Sequence, residues 1–135
     1  MIKLTETYTD YLGNTRTEDF RFNLSEAECM KLETSIPGGL TGLMQKIIDT
    51  QDTPELMKIF EKIVLEAYGE MSLDGRKFIK NDQVREDFVS TEAYSQIYVR
   101  LATNSEAAVA FMNGIIPNKQ PAANPVPAPT LVQGN

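Results

Sequence analysis

Beyond Pro54 the apolar residues fall at Leu56, Ile59, Phe60, Ile63 and Ala67, a spacing of three and four that forms one face only on an α-helix. Thr53 stands where an N-cap belongs and Pro54 at the first helical position, where its missing amide costs nothing. Gly69 is expected to supply the left-handed stop. A helix with one such stripe has to bury it, so other segments must offer matching faces. Leu40, Leu43, Met44, Ile47 and Ile48 make a second stripe, and Tyr94, Ile97, Tyr98 and Leu101 a third. Ala107, Ala108, Phe111 and Met112 make a fourth, opened by a capping box at Thr103-Asn104-Ser105-Glu106 and closed by Gly114.

Two shorter helices complete the set. Ser25-Glu26-Ala27-Glu28 is a capping box that starts a helix over about residues 26–34. Asn81 caps another that carries Val84 and Phe88. Between the first two helices Ile36-Pro37-Gly38-Gly39 breaks the chain.

Ahead of the helices, residues 2–24 alternate as a β-hairpin does. Ile2, Leu4, Glu6 and Tyr8 share one face, and Phe20, Phe22 and Leu24 resume the pattern after Gly13-Asn14. A three-residue loop from Gly13 to Thr15 pairs Leu4 with Leu24 and Tyr8 with Phe20, leaving Glu6 opposite Phe22 as the misfit. Gly13 or Asn14 takes the positive-φ position. An isolated hairpin is marginal in water, so its apolar face must lie on the helices or on another subunit. The predicted fold is α+β and predominantly helical: an N-terminal β-hairpin, then about six short-to-medium helices. One domain is expected over residues 1–116, with the hairpin in 2–24 and helices in 25–116. Five of the seven prolines fall in residues 117–135, so that stretch is expected to be a flexible Pro/Ala-rich tail.

Charge narrows the function. The first 116 residues carry 12 basic against 19 acidic groups, and a surface of that sign repels phosphate backbones, so no nucleic-acid partner is expected. The chain has no histidine, which removes the commonest general base and metal ligand together. No apolar run approaches the roughly 18 residues of a membrane span, and the start MIKLTETY has no hydrophobic leader, so a cytosolic protein without a membrane partner is expected.

The remaining candidates favour plain roles. Cys29, the one cysteine, has no visible base beside it and reads as a packing contact with Leu24. Asp74-Gly75 lacks the acidic positions of a calcium loop and reads as a turn. Arg76 and Lys77 form a solvated basic pair outside any phosphate-loop pattern. Glu26, Glu28 and Glu33, or Glu61 and Glu66, sit at spacings of solvated helix faces, not of an acid/base pair. Met30, Met44, Met57, Met71 and Met112 read mainly as core filling, with an adaptable binding surface as the alternative. No cofactor or metal site is expected.

Residues 68–94 form the connector between the third and later helices, with Phe78-Ile79 as an apolar anchor and Arg76, Lys77 and Phe78 as its named contacts. There the residues become distinctive: Tyr68-Gly69-Glu70, Ser72, Asp74-Gly75-Arg76, Phe78-Ile79-Lys80, Phe88 and Thr91-Glu92-Ala93-Tyr94. Tyr8-Thr9-Asp10-Tyr11 with Gly13-Asn14, then Phe20 and Phe22-Asn23-Leu24-Ser25, precede them, and Phe111-Met112-Asn113-Gly114-Ile115-Ile116-Pro117 follows. Taken in order over residues 2–117, this set resembles the tail assembly chaperones of long-tailed, siphovirus-type bacteriophages.

The resemblance implies a non-enzymatic protein of the infected host cytoplasm, one that coats the tape-measure protein before the tail tube protein assembles and is absent from the mature virion. Members of that family are often accompanied by a longer form made by frameshifting, and the resemblance offers no catalytic residue to carry over. Client segments are expected in a groove between the helices of Leu56, Ile59, Phe60 and Ile63 and of Tyr94, Ile97, Tyr98 and Leu101, hinged by the connector. Self-association is a further expectation. The rival functions are an acidic nucleic-acid mimic that inhibits a host enzyme and a structural connector retained in the virion, with a small enzyme behind both.

Overall fold

The computed structural model describes residues 1–49 and 54–117. Its elements run β1 (Ile2–Thr9), β2 (Thr15–Phe22), α1 (Glu26–Ser35), α2 (Gly39–Asp49), α3 (Pro54–Ala67), β3 (Tyr68–Met71), β4 (Phe78–Ile79), α4 (Asp82–Val89), α5 (Glu92–Thr103) and α6 (Ser105–Ile115). The fold is α+β, a hairpin followed by six helices among the described residues, as the stripes predict. Thr53 and residues 118–135, expected to be a cap and a tail, lie outside the described residues.

The first hairpin corrects the expected register. Asp10 N–H donates to Asn14 O at 2.8 Å and Gly13 N–H to Asp10 O at 3.0 Å, so the loop consists of Tyr11, Leu12 and Gly13. Its length is the expected three residues, but it sits two positions earlier than Gly13–Thr15. Leu4 consequently faces Phe20, Ile2 faces Phe22, Tyr8 faces Arg16, and Glu6 faces Glu18 instead of Phe22. The reason is turn chemistry. Gly13, at φ 90°, closes the turn in a conformation that side chains resist. The Asp10 carboxylate meanwhile accepts from the Leu12 and Asn14 amides at 3.0 and 2.8 Å and from Arg16 Nε at 2.7 Å. These contacts outweigh side-chain matching across the strands.

The sheet also extends into the expected connector. Strand order is β1-β2-β3-β4, every neighbouring pair antiparallel, with Arg21 opposite Gly69 and Met71 opposite Phe78. Residues 25–116 are therefore not wholly helical. Gly69 is not a left-handed stop. It lies in β3, where an added Cβ would come within 2.7 Å of the Phe78 ring, so it is the flat spot over which Phe78 packs. The end of α3 is instead satisfied by Arg85 Nε donating to Leu65 O at 3.1 Å and by Asn23 N–H donating to Ala67 O at 2.8 Å.

Two further end signals moved. Gly114 lies inside α6, close against Ile2, and the helix runs on to Ile115. The N-cap of α6 is Asn104, whose Oδ1 accepts from Ala107 N–H at 3.0 Å; Thr103 belongs to α5. Two other caps stand where expected, Ser25 and Glu28 exchanging both bonds of their box and Asn81 accepting from Val84; Thr91, which accepts from Tyr94, is a further cap beyond those expected.

The two layers meet in one aromatic cluster. Phe22 is edge-on to Phe111 at 5.1 Å and to Tyr68 at 5.6 Å, and Tyr68 stacks on Phe88 at 4.0 Å. Leu24, Ile63, Ile97, Met112 and Ile115 close around these rings with almost no exposure. Of the α2 stripe, Leu40, Leu43 and Ile47 join the core while Ile48 faces solvent.

Candidate functional site

The groove expected between α3 and α5 is filled by the protein itself. Leu56, Phe60, Ile63, Ile97 and Leu101 are all buried, and Ile59, Tyr94 and Tyr98 are half-buried. Tyr94 Oη donates to Glu61 Oε2 at 2.6 Å and Tyr98 Oη reaches Met57 O at 3.5 Å, pinning the two helices together. Burial, then the hydrogen bond to Glu61 and its charge, pushes the Tyr94 phenol well above the ordinary tyrosine range. The space left beside Leu56, Phe60 and Leu101 is about 10 Å³, no more than one water fills. Both stripes are taken up inside the core, with Phe60 also edge-on to Phe111 of α6 at 6.2 Å.

The connector residues stand elsewhere. Arg76 and Lys77 are exposed in the turn between β3 and β4, where Gly75 at φ 75° and Asp74 Oδ1, accepting from Arg76 N–H at 3.0 Å, shape the chain. Phe78 is half-buried over Gly69, and its neighbour Ile79 is exposed. Lys80, not among the expected connector contacts, is the anchor. Its ammonium donates to Asn23 O at 2.6 Å and to both oxygens of Glu28 at 2.8 and 3.0 Å, tying the start of α4 to the capping box of α1. Burial of Glu28 works against its charge, yet the bonds from Lys80 and Ser25 hold its carboxyl below the usual range.

A second cleft keeps part of α3 reachable. Ile36, Pro37, Leu43, Leu56 and Ile59, with Lys46 and Glu55, line a space of about 510 Å³ between the end of α1, α2 and α3. Four elements of sequence build it. Leu43 and Ile59 project from stripes, Pro37 ends α1, and Gly38 and Gly39, at φ 82° and 69°, turn the chain into α2. The Glu33 carboxylate accepts from Leu40 N–H at 3.1 Å and so caps α2 across that turn. Ile36 and Pro37 thus do more than break the chain, and an apolar pair just before two glycines is the sequence signal for it.

Other apolar side chains lie open. Leu12, Tyr11, Leu73 and Met30 are the most exposed of the large ones. Met112 alone of the five singled-out methionines is fully enclosed; Met44 and Met57 are half-buried and Met71 is exposed, which corrects the core-filling expectation. Burial, with the nearby Glu28 and Glu33 charges, pushes the Cys29 thiol up, the opposite of an activated nucleophile. Among the described residues no cluster of three or more potential metal ligands occurs, and no helix is long and apolar enough to cross a membrane.

An apolar cleft on a helical body with a small acidic excess suits protein binding. Comparison with curated proteins and with solved structures finds no match. The family model described as phage tail assembly chaperone matches residues 1–124, a span that reaches past Pro117 into the Pro/Ala-rich stretch. The chain belongs to the phage tail assembly chaperone family.

Proposed function

We propose that this chain acts without catalysis, binding the tape-measure protein of its phage in the host cytoplasm and shielding apolar helical stripes on it until the tail tube protein assembles around it. The chaperone leaves as the tube grows and is absent from the mature virion. Family membership supports the assembly role. The observation that carries the mode of binding is the α2–α3 cleft: it is the place where the apolar face of α3, closed toward α5, meets solvent through Ile59. An amphipathic helix could set apolar side chains into it.

Co-expression of the full chain with a tape-measure segment, followed by pull-down and a solubility assay, tests this. The expected result is capture and solubilisation that survive high salt, because apolar contact is screened little. Ile59→Glu should abolish capture while leaving the fold intact, and Lys77→Glu, on the distant turn, should leave it unchanged. Capture that collapses in salt would favour an acidic decoy, and detection of the chain in purified virions by mass spectrometry would make it a structural component.

A further inference from the structure

We propose that β1 pairs antiparallel with β1 of a second copy of this chain, about a two-fold axis at Thr5. The strand is the end strand of the sheet, eight residues long, and among the described residues no strand pairs with its outer edge. Hydrogen-bonded pairs alternate along an antiparallel ladder. Asp10 bonds Asn14, so the even residues of β1 direct their backbone groups to β2, and Lys3, Thr5, Thr7 and Thr9 direct theirs outward. Gln96 Nε2 confirms the direction by donating to Thr7 O at 3.1 Å from α5. That carbonyl retains a second lone pair. A long edge with free donors and acceptors is a template for another strand.

The outward parity of Thr5 sets the register proposed for the pair. With Thr5 opposite Thr5 of the second copy, residues 1–9 of both chains overlap, and Lys3 falls opposite Thr7, so no like charges are opposed. Leu4 lies opposite Glu6 of the second copy, whose carboxylate is already taken by Arg100 and Gln96. Ile2, half-buried in its own chain, comes beside Tyr8. There it meets a cleft of about 760 Å³ that runs along the edge between β1 and α5, lined by Tyr8, Gln96, Arg100 and Val99, the last 55 % exposed. Centring on residue 6 instead opposes two buried Glu6 carboxylates. The two-fold repeats each contact, which is what an isologous dimer requires.

Sedimentation velocity of the full chain over a concentration series tests the proposal, together with two variants. Thr5→Pro removes an outward N–H and no backbone bond to β2, losing there only the exposed bond of 2.6 Å from Thr5 Oγ1 to Asp19, so circular dichroism should be unchanged while the dimer dissociation constant rises at least about tenfold. Thr5→Cys in a Cys29→Ser background should give a disulfide-linked dimer on mild oxidation, whereas Thr17→Cys, on β2, should not. A monomer at every concentration overturns the proposal, whether the edge then meets water, residues 118–135 or a tail protein. A dimer that Thr5→Pro leaves intact, or that Thr5→Cys fails to cross-link, overturns it as well.

Discussion

Arg100 holds both oxygens of the buried Glu6 carboxylate, at 2.9 and 2.7 Å, and Gln96 donates to the first of them at 2.9 Å. The pair joins β1 to α5 across 94 residues of sequence, and Glu6 is only 4 % exposed. A charge on the apolar face of a hairpin is tolerable only because this fork satisfies it.

Arg100→Ala should therefore cost about 2–3 kcal/mol in urea unfolding, since it strands a buried carboxylate. Replacing both, Glu6→Leu with Arg100→Leu, should cost clearly less than Arg100→Ala alone. The bond from Arg100 is the main reason that the Glu6 carboxyl titrates below its ordinary value of 4.5. A depressed carboxyl contributes stability that is complete above pH 4.5 and is lost as pH falls through the folded value. The double variant should lose part of the acid sensitivity that the parent shows in that range.

Tyrosine ionisation should set the alkaline limit. Burial, helped by the Glu70 charge, pushes the Tyr68 phenol up to about 12, and Tyr94 is raised by burial and by Glu61. A phenol raised in the folded state contributes stability below pH 10, lost as pH climbs toward the folded value. Absorbance at the tyrosinate band should show these two ionising together with unfolding. Tyr94→Phe, which leaves Glu61 without its donor, should cost about 1 kcal/mol at neutral pH.

Gly69 and Gly13 should respond to alanine for different reasons. Gly69→Ala places a methyl 2.7 Å from the Phe78 ring and 3.0 Å from Ile79 O, so β3 and β4 must separate, at about 1–3 kcal/mol. Gly13→Ala meets no atom within 4 Å yet requires a positive φ, at about 1 kcal/mol. Adding Phe78→Leu should relieve the first substitution and leave the second unchanged, as thermal melts would show.

Ile97→Ala and Ile59→Glu should separate folding from client binding. Ile97 is fully buried, and truncating it should cost about 2–4 kcal/mol through the cavity left in the core. Ile59 is half-buried at the α2–α3 cleft, so Ile59→Glu should move stability by less than about 1 kcal/mol while removing client capture. Equal loss of capture in both variants, scaling with stability, would place the client elsewhere.

Much of the helical layer was legible because helices are local. A stripe such as Leu56 to Ala67, a capping box such as Ser25 to Glu28, and the Asn81 cap each depend on residues three or four apart, and each stands where its spacing indicates. The acidic balance and the absence of histidine are likewise properties of composition. End signals were less readable, because Gly69 and Gly114 serve close packing against Phe78 and Ile2, which no local pattern announces.

Tertiary structure decided what each face meets. The amino-acid order determines that α3 and α5 carry apolar stripes, but only packing shows that both are buried in one shared core and leave Ile59 to the α2–α3 cleft. It likewise extends the hairpin to four strands and turns the misfit Glu6 into an anchor for Arg100. Strand pairing and burial depend on contacts far apart in the chain, whose energies add up only once the whole core has formed, whereas helix periodicity is set turn by turn.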